Sequence, residues 1–364
     1  MKHDRIWNFY AGPAAVPLEA LEKIHQSWFN YNGEGMAVME MSHRSKPYDE
    51  IHNNTAGLVK KLLGLGDNYH VLFLQGGASL QFAMVPLNFL GNDKEADYIH
   101  TGTWSAKAIK EAKLFGNVNV AFDGNDTQFL RLPRQNEVKL TEGAEYVHIT
   151  SNNTIRGTQF FAFPETNGVP LVADMSSDIL SRCFDPEPFG LIYAGAQKNL
   201  GPSGVTLVIL RNDFYERCIE KNLTTMLHYK THVEKNSLHN TPNSFGIYFM
   251  ECVLQWIDDM GGLKAMEAHN REKADLLYGF INNNDGFYCC HIEKDSRSWM
   301  NVCFHLPTEA LDQEFVRQGA ENGFIGLKGY RSAGGCRVSM YNATPPEAIR
   351  DLVDFMQDFM DKNG

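Results

Sequence analysis

Short apolar runs alternate with longer segments of helical periodicity along the first two hundred residues. Six of these runs have the length and composition of strands, and several end in glycine or in polar side chains. Strands that are buried on both faces are apolar throughout, so the alternation predicts a mostly parallel sheet with helices on both sides. The predicted strands are residues 68–74, 96–99, 117–122, 146–154, 169–174 and the run from 191 to Lys198.

Glycines and a change of pattern mark the predicted domain boundary. A helical segment at 246–260 ends at Gly261 and Gly262, and the last hundred residues alternate short predicted strands (287–293, 299–305 and 335–341) with helices. A chain of 364 residues is long enough for two domains. We therefore predict an α/β fold with a large domain at 15–261 and a smaller α+β domain at 262–364, joined by the N-terminal segment 1–14.

A lysine and an aspartate lie at the ends of two predicted strands. Asp174 closes the run 169–174, and Lys198 is followed by glycine and proline residues that end the strand in a tight loop. Open α/β sheets bind ligands outside the carboxyl ends of their strands. Pyridoxal-phosphate catalysis uses such a pair, because the lysine forms a Schiff base and the carboxylate keeps a proton on the pyridine nitrogen. The alternative is a solvated lysine and a helix-capping aspartate.

Three further segments reach the same predicted edge of the sheet. Gly76, Gly77 and Ser79 stand between a strand and a helix, where free backbone N–H groups and the helix dipole attract phosphate. The pattern is neither a nucleotide P-loop nor a dinucleotide-binding motif. Trp104 offers a ring for stacking, and Thr154 offers a hydroxyl to the cofactor's ring oxygen. Burial in the core and turn formation are the alternatives for these two residues.

Two segments carry side chains that suit anions. His43 and Arg44 adjoin in a predicted loop, and Arg331 and Arg337 lie among four glycines. Arginine matches carboxylate and phosphate oxygens with two parallel hydrogen bonds, and glycine lets a ligand approach the backbone. Each segment is equally compatible with polar surface or a glycine-rich hairpin, so the functional interpretation depends on their joint presence.

Composition narrows the classes of partner. A net charge of −11 and a pI near 5.6 disfavour nucleic acid and anionic membrane, which need a basic face. The chain shows no apolar run long enough for a bilayer and no signal-peptide core at its start, so we expect a cytoplasmic protein. Seven cysteines without a Cys-x-x-Cys pair indicate reduced thiols, and the His228 and His232 pair lacks a third ligand, so we expect no metal.

The motifs, taken in their joint order and spacing, resemble the phosphoserine aminotransferase family of class V, fold-type-I pyridoxal-phosphate enzymes. The resemblance spans nearly the whole chain. The motifs that carry it are residues 8–14, 41–44, 75–79, 172–177, 194–199, 239–242, 326–331 and 335–343, together with Trp104. It implies a large domain with a mostly parallel, seven-stranded sheet, covered by helices, and a smaller α+β domain.

The resemblance also implies the reaction and the partners. The expected reaction is reversible transfer of the amino group between glutamate and 3-phosphohydroxypyruvate in serine biosynthesis, giving 2-oxoglutarate and O-phospho-L-serine. Pyridoxal 5'-phosphate is the implied cofactor, and a phosphorylated hydroxythreonine of vitamin B6 synthesis is an implied additional substrate. The implied assembly is a homodimer with shared active sites.

Site residues follow from the resemblance position by position. Lys198 is the implied Schiff-base lysine and proton carrier, Asp174 the partner of the pyridine nitrogen, and Trp104 the residue stacked on the ring. The other implied cofactor contacts are Ala78, Ser79, Thr154, Gln197 and, from the neighbouring subunit, Asn240 and Thr241. The implied substrate contacts are Arg337 for the α-carboxylate and His43, Arg44 and Arg331 for the distal phosphate or side-chain carboxylate.

The sequence departs from the family pattern at two positions, and rival functions remain open. Tyr330 stands where many members carry histidine, and Ser79 where some bacterial members carry arginine, so less positive charge faces bound phosphates. The first rival is a class V transaminase for glyoxylate with serine or alanine. The second is a cysteine desulfurase, for which Cys336 beside the glycine turn is the candidate thiol. The third is a nucleotide-binding regulator with a degenerate site.

Overall fold

The computed structural model describes residues 5–219 and 223–364. Residues 1–4, which belong to the predicted N-terminal segment and to the start examined for a signal peptide, lie outside the described residues. The helices are α1 (Leu18–Gln26), α2 (Lys46–Leu63), α3 (Gly77–Phe89), α4 (Thr103–Ala112), α5 (Asn212–Tyr215), α6 (Tyr229–Glu234), α7 (Ser244–Asp259), α8 (Gly262–Asn283), α9 (Glu309–Glu321) and α10 (Pro346–Asn363). Among the described residues no helix combines the length and the apolar character that crossing a membrane requires.

Seven strands form the central sheet. The strands of the chain are β1 (Trp7–Asn8), β2 (Tyr69–Leu74), β3 (Glu95–His100), β4 (Asn117–Asp123), β5 (Val147–Thr150), β6 (Leu171–Asp174), β7 (Phe189–Gly195), β8 (Thr206–Arg211), β9 (Asn301–Phe304), β10 (Phe324–Ile325) and β11 (Cys336–Ser339). The sheet order is β2-β8-β7-β6-β5-β3-β4. β8 is antiparallel to β2 and β7, and all other neighbours are parallel. The predicted mostly parallel, seven-stranded α/β sheet is confirmed.

Apolar cores lie on both faces of this sheet. On one face α2, α7 and the start of α8 pack against the strands, with Val59, Leu254 and Met266 fully buried. On the other face α3 and α5 contribute buried Val85 and Phe214. Full burial of one large apolar side chain contributes about 1.5–3 kcal/mol. This two-sided burial explains why every residue of β6 and β7 is buried and why their sequences are so apolar.

A third core belongs to the C-terminal part of the chain. β9 pairs with β11 in antiparallel fashion, and α8, α9 and α10 surround a cluster that includes Leu277 and Phe315. Phe9 of the N-terminal segment joins this cluster, beside the parallel pair β1 and β10. The division into 15–261 and 262–364 stays a prediction. Met266 near the start of α8 packs with the sheet, whereas Leu277 on the same helix packs with the C-terminal core.

One predicted strand of the C-terminal part is wrong. Within residues 287–293 the structure has a single bridge, from Cys289 to His305, and no ladder follows. The predicted strands at 299–305 and 335–341 are present in shorter form as β9 and β11. An apolar run of seven residues is therefore not sufficient for a strand, because a ladder also needs a partner edge along its whole length.

Candidate active site

The sheet topology brings Asp174 and Lys198 to one edge. Asp174 is the last residue of β6 and pairs with Tyr193 of the parallel neighbour β7, and Lys198 follows β7 in the next turn. The Nζ of Lys198 donates a hydrogen bond to Thr154 Oγ1 at 2.7 Å. The Asp174 carboxylate is buried, and its Oδ1 accepts the backbone N–H of Ser176 at 3.0 Å.

Burial changes the protonation of both groups. It lowers the pKa of Lys198 to about 8, an effect that the Asp174 carboxylate opposes and the Arg337 guanidinium reinforces. Burial raises the pKa of Asp174, against the hydrogen bonds from Ser176 and the attraction of Lys198. An amine with a pKa near 8 exchanges protons at neutral pH far more readily than an ordinary lysine, whose pKa is about 10.4. A pKa near 8 suits the predicted role of Lys198 as a proton carrier.

Thr154 connects Lys198 to the C-terminal part of the chain. Arg337 on β11 is buried, and its Nη1 donates to the backbone oxygen of Thr154 at 3.0 Å. The Nε of Arg337 is also buried and has no hydrogen-bond partner among the described residues. A buried guanidinium donor without a partner is costly, so a ligand that accepts from it gains a charge-assisted hydrogen bond.

The start of α3 forms a cradle for an anion. Gly76 and Gly77 have φ of +87° and +62°, a region that favours glycine, and a Cβ on Gly76 would lie 2.6 Å from Leu80 Cβ. α3 begins at Gly77, so Ala78 and Ser79 lie in its first turn, and the N-cap offers no side-chain hydrogen bond. The N–H groups of the first turn lack intrahelical partners, and a bound phosphate satisfies them.

Trp104 places an aromatic face beside the lysine. It is the second residue of α4, and Lys198 Nζ lies 5.9 Å from the centre of its ring. Its indole Nε1 is buried and finds no hydrogen-bond partner in the part of the chain that the structure describes. A second amine, Lys107 Nζ, lies 4.4 Å from the ring centre. The indole thus has its ring near Lys198 and a buried N–H donor that a ligand could engage.

The other predicted substrate contacts, His43, Arg44 and Arg331, are more exposed than Arg337. His43 is half-buried with an unpartnered Nε2, whereas Arg44 and Arg331 are exposed. Within the described part of the chain no ion pair engages Arg44 or Arg331. They are therefore available to a ligand.

Among the remaining cofactor candidates, Asn240 lies near the start of α3, and Gln197 directly precedes Lys198. Asn240 Nδ2 lies 3.4 Å from Gln75 Oε1 of the same chain, just before the α3 cradle, and Thr241 is exposed. The backbone oxygen of Gln197 accepts from Ala14 N at 2.9 Å. The assignment of Asn240 and Thr241 to a neighbouring subunit stays a prediction.

The sequence interpretation missed the part played by the N-terminal segment. Gly12 has a φ of +133°, and a Cβ there would lie 3.3 Å from Lys198 Cγ. The preceding residue, Ala11, accepts a hydrogen bond from Tyr341 Oη at 2.8 Å. The Gly-Pro pair at residues 12–13 was the available signal, because close backbone approach requires glycine.

These groups fit pyridoxal phosphate. The site holds an amine of lowered pKa, a buried carboxylate, an aromatic face with a free N–H donor, and a helix N-terminus that suits a phosphate. In residues 5–219 and 223–364 no group of three or more His, Cys, Asp or Glu side chains is arranged to hold a metal ion. The fold and the site define a pyridoxal-phosphate-dependent enzyme of fold type I.

The chain belongs to the class-V aminotransferase family, whose family model matches residues 6–352. It is 53% identical over 359 residues to the phosphoserine aminotransferase of Lysinibacillus sphaericus, covering 99% of each chain. It is 54% identical over 362 residues to that of Desulfosudis oleivorans, again covering 99% of each.

Solved structures agree with this assignment. The phosphoserine aminotransferase from Bacillus circulans subsp. alkalophilus matches with a TM-score of 0.97 at 51% identity, covering 99% of this chain and 100% of that one. The pyridoxal-phosphate-bound phosphoserine aminotransferase from Trichomonas vaginalis matches with a TM-score of 0.92 at 39% identity, covering 97% and 100%. The predicted family is confirmed.

Proposed function

We propose that this chain transfers the amino group reversibly between glutamate and 3-phosphohydroxypyruvate, giving 2-oxoglutarate and O-phospho-L-serine in serine biosynthesis. Full-length relatives that carry the name phosphoserine aminotransferase support the substrate pair. The single observation that carries the chemistry is the position of Thr154 between Lys198 and Arg337. This arrangement supports the proposed roles of Lys198 as proton carrier and of Arg337 as the partner of the substrate carboxylate.

The residues at the sheet edge divide the task of holding the cofactor. Pyridoxal phosphate, when bound, supplies an electron sink that accepts the electron pair left on the substrate Cα as its proton departs. We assign its covalent attachment to Lys198, its ring nitrogen to Asp174 and its ring face to Trp104. The first turn of α3, through Ala78 and Ser79, would hold the phosphate. Thr154 and Gln197 complete the proposed contacts, with Asn240 and Thr241 contributed by the neighbouring subunit.

Lys198 and Asp174 then act through charge. Lys198 takes and returns a proton at Nζ, and its pKa of about 8 leaves a useful fraction of the amine neutral near pH 7. Burial raises the pKa of Asp174, but an opposite charge close to a carboxylate favours the ionised form of that carboxylate. Asp174 would therefore be ionised opposite a protonated ring nitrogen, and its negative charge would hold the proton on that nitrogen.

Arginine side chains select the substrate. Arg337 has a free buried donor, and we assign it the α-carboxylate that both amino acids share. His43, Arg44 and Arg331 hold the distal group, a carboxylate in glutamate and a phosphate in phosphoserine. Tyr330 supplies no positive charge beside Arg331, so distal affinity depends mainly on the two exposed arginines.

We also propose that the active enzyme is a cytoplasmic homodimer. Exposed apolar side chains are concentrated at residues 28–39, where Trp28, Phe29, Met36 and Met39 are all exposed, and Phe29 is 84% accessible. Apolar patches of this kind mark interaction surfaces. The adjacent position of His43 and Arg44 supports a site shared across that surface. All seven cysteines are free, which suits a reducing compartment.

The desulfurase alternative is not favoured. Its candidate thiol, Cys336, is buried, and burial with the nearby Asp312 raises its pKa well above the usual range. A thiol of raised pKa is a poor nucleophile, because the thiolate is the reactive form. Cys336 instead lies at the start of β11, opposite Phe304.

A substrate comparison tests the proposal. Purified protein with pyridoxal phosphate is assayed with glutamate and 3-phosphohydroxypyruvate, and in reverse with phosphoserine, serine, alanine or cysteine as donor. We expect phosphoserine to react at least about a hundredfold faster in kcat/KM than serine, since the phosphate adds charge-assisted hydrogen bonds. Comparable rates with serine and glyoxylate would favour the glyoxylate-type transaminase, and sulfide release from cysteine would favour a desulfurase.

A further inference from the structure

A lysine of α8 is buried and has no ion-pair partner among the residues that the structure describes. Lys273 on α8 is 0% exposed, and its Nζ donates to the backbone oxygens of Met340 at 3.1 Å and Tyr341 at 2.7 Å. Burial lowers its pKa well below the usual range. Its two acceptors are backbone oxygens of buried residues, so loss of the amine would take a hydrogen-bond donor away from each of them.

The two acceptors belong to the segment 340–345 between β11 and α10, whose first three residues, Met340, Tyr341 and Asn342, we call the connector. The connector follows Arg337 by three residues. Its Tyr341 hydroxyl donates to the backbone oxygen of Ala11, next to the glycine that packs on Lys198. The position of this connector thus affects both the guanidinium and the backbone beside the catalytic amine.

Asn342 links the connector by hydrogen bonds to two residues that precede α5, Asn199 and Leu180. Its backbone N–H donates to Asn199 Oδ1 at 3.1 Å, and its Nδ2 donates to the oxygen of Leu180 at 3.0 Å. Asn199 directly follows Lys198. From α8, one turn before Lys273, Asn270 Nδ2 donates to Asn342 Oδ1 at 2.9 Å. All of these groups are buried, so each lost hydrogen bond leaves an unsatisfied polar atom.

We propose that Lys273 is a positioning residue for the transaminase reaction. It holds the connector in place, and the connector in turn fixes the positions of Arg337 and of the backbone at Asn199. These two groups then keep the substrate carboxylate and Lys198 correctly placed relative to each other. The amine suits the task because its N–H groups reach two carbonyl oxygens that no apolar side chain can satisfy. The inference rests on the proposed function, since the reaction is its readout. Misplacement of catalytic groups by about 1 Å costs on the order of a hundredfold in rate.

The test uses Lys273→Met, which keeps the length of the side chain and removes its donors. We expect kcat/KM for glutamate and for phosphoserine to fall about tenfold or more, with a rise in KM for both, because Arg337 serves both substrates. We also expect a shift in the pH dependence of the absorbance of the bound cofactor, which reports protonation of the Lys198 nitrogen in its covalent link to the cofactor. Lys273→Gln, whose amide keeps two N–H donors, is expected to recover part of the loss.

A second readout does not depend on activity. In the cofactor-free protein, amide hydrogen exchange of the peptide that spans the connector is expected to be about tenfold faster in Lys273→Met than in wild type. Leu277→Ala is the control, since it lies one turn further along α8 and removes apolar packing of the C-terminal core without removing a hydrogen bond to the connector. It is expected to lower the melting temperature and to leave the kinetic constants unchanged when measured well below that temperature.

Wild-type kinetics and wild-type exchange in Lys273→Met would overturn the proposal, as would changes no larger than those of Leu277→Ala. If Lys273→Met does not accumulate as folded protein, Asn270→Ala decides. It removes the bond to Asn342 and is expected to change the same constants in the same direction, and unchanged kinetics would overturn the proposal. Absence of transaminase activity in the wild type would instead contradict the proposed function, while the exchange measurement still reports on the connector.

Discussion

The guanidinium of Arg337 donates a hydrogen bond from Nη1 to the backbone oxygen of Thr154 at 3.0 Å, across 183 positions of the chain. The hydroxyl of the same threonine accepts from Lys198 at 2.7 Å. One residue therefore links the group assigned to the substrate carboxylate with the group assigned to proton transfer. Substitutions at the two ends are expected to affect different constants, KM at Arg337 and kcat at Lys198.

Lys198→Ala is expected to abolish turnover, because both the covalent attachment and the proton carrier are lost. The fall in kcat is expected to reach at least about 10³-fold, in the upper part of the range for a general acid–base group. The measurements are steady-state rates and the mass of the lysine peptide after borohydride reduction. Lys107→Ala is the matched control, since its amine also lies near the Trp104 ring, and it is expected to keep most of the activity. Residual wild-type turnover in Lys198→Ala would contradict the assignment.

The lowered pKa of Lys198 gives the cofactor-free protein a pH-dependent stability. Between pH 8 and about 10.4 the unfolded lysine is protonated and the folded one is largely neutral, so the free energy of unfolding rises with pH. Below pH 8 both states are protonated and the full burial penalty applies.

Lys198→Met removes this contribution and is expected to be more stable than wild type at pH 7.5. The difference in the free energy of unfolding, measured by urea titration without cofactor, is expected to narrow as pH rises from 8 to 10. A difference that is constant across that window would show that Lys198 has an ordinary pKa.

Arg337→Ala is expected to weaken both amino acids. A charge-assisted hydrogen bond contributes about 1.5–3 kcal/mol, which corresponds to a rise in KM of roughly 10- to 150-fold. The expected rise is similar for glutamate and phosphoserine, because both have the same α-carboxylate. The check is a full set of constants in both directions, and an effect on only one substrate would argue for a distal rather than an α-carboxylate contact.

Arg331→Ala is expected to discriminate between substrates. The loss in kcat/KM is expected to be about tenfold or more larger for phosphoserine than for serine, because serine has no distal anion. Arg317→Ala is a suitable control, since this guanidinium is also exposed but pairs with Glu314 and Glu321 on α9. Equal losses for phosphoserine and serine would remove Arg331 from the distal site.

The local pattern of apolar and polar residues was sufficient to predict much of the fold. The buried strands are continuous apolar runs, so the pattern predicted the sheet and placed Asp174 and Lys198 at the ends of neighbouring strands. The role of the two glycines at the start of α3 could be predicted, because positive φ and close approach of the backbone require glycine. The family motifs then implied roles that neither periodicity nor spacing supplies.

Contacts between residues that are distant in the chain could not be predicted from the sequence pattern. β1 and β10 are two residues long and lie more than three hundred positions apart, so neither has a pattern of its own. The pairing of Arg337 with Thr154, and the burial of Lys273 against Tyr341, depend on how the C-terminal part packs on the sheet. The predicted strand at 287–293 failed for the same reason, because its apolar residues fill the C-terminal core instead of extending a ladder.

The N-terminal segment joins parts of the molecule that the chain order separates. Trp7 and Asn8 pair with Phe324 and Ile325, Phe9 enters the C-terminal core, and Gly12 packs on the side chain of Lys198. A truncation that removes residues 5–12 would therefore loosen the reactive amine without altering any residue assigned to chemistry.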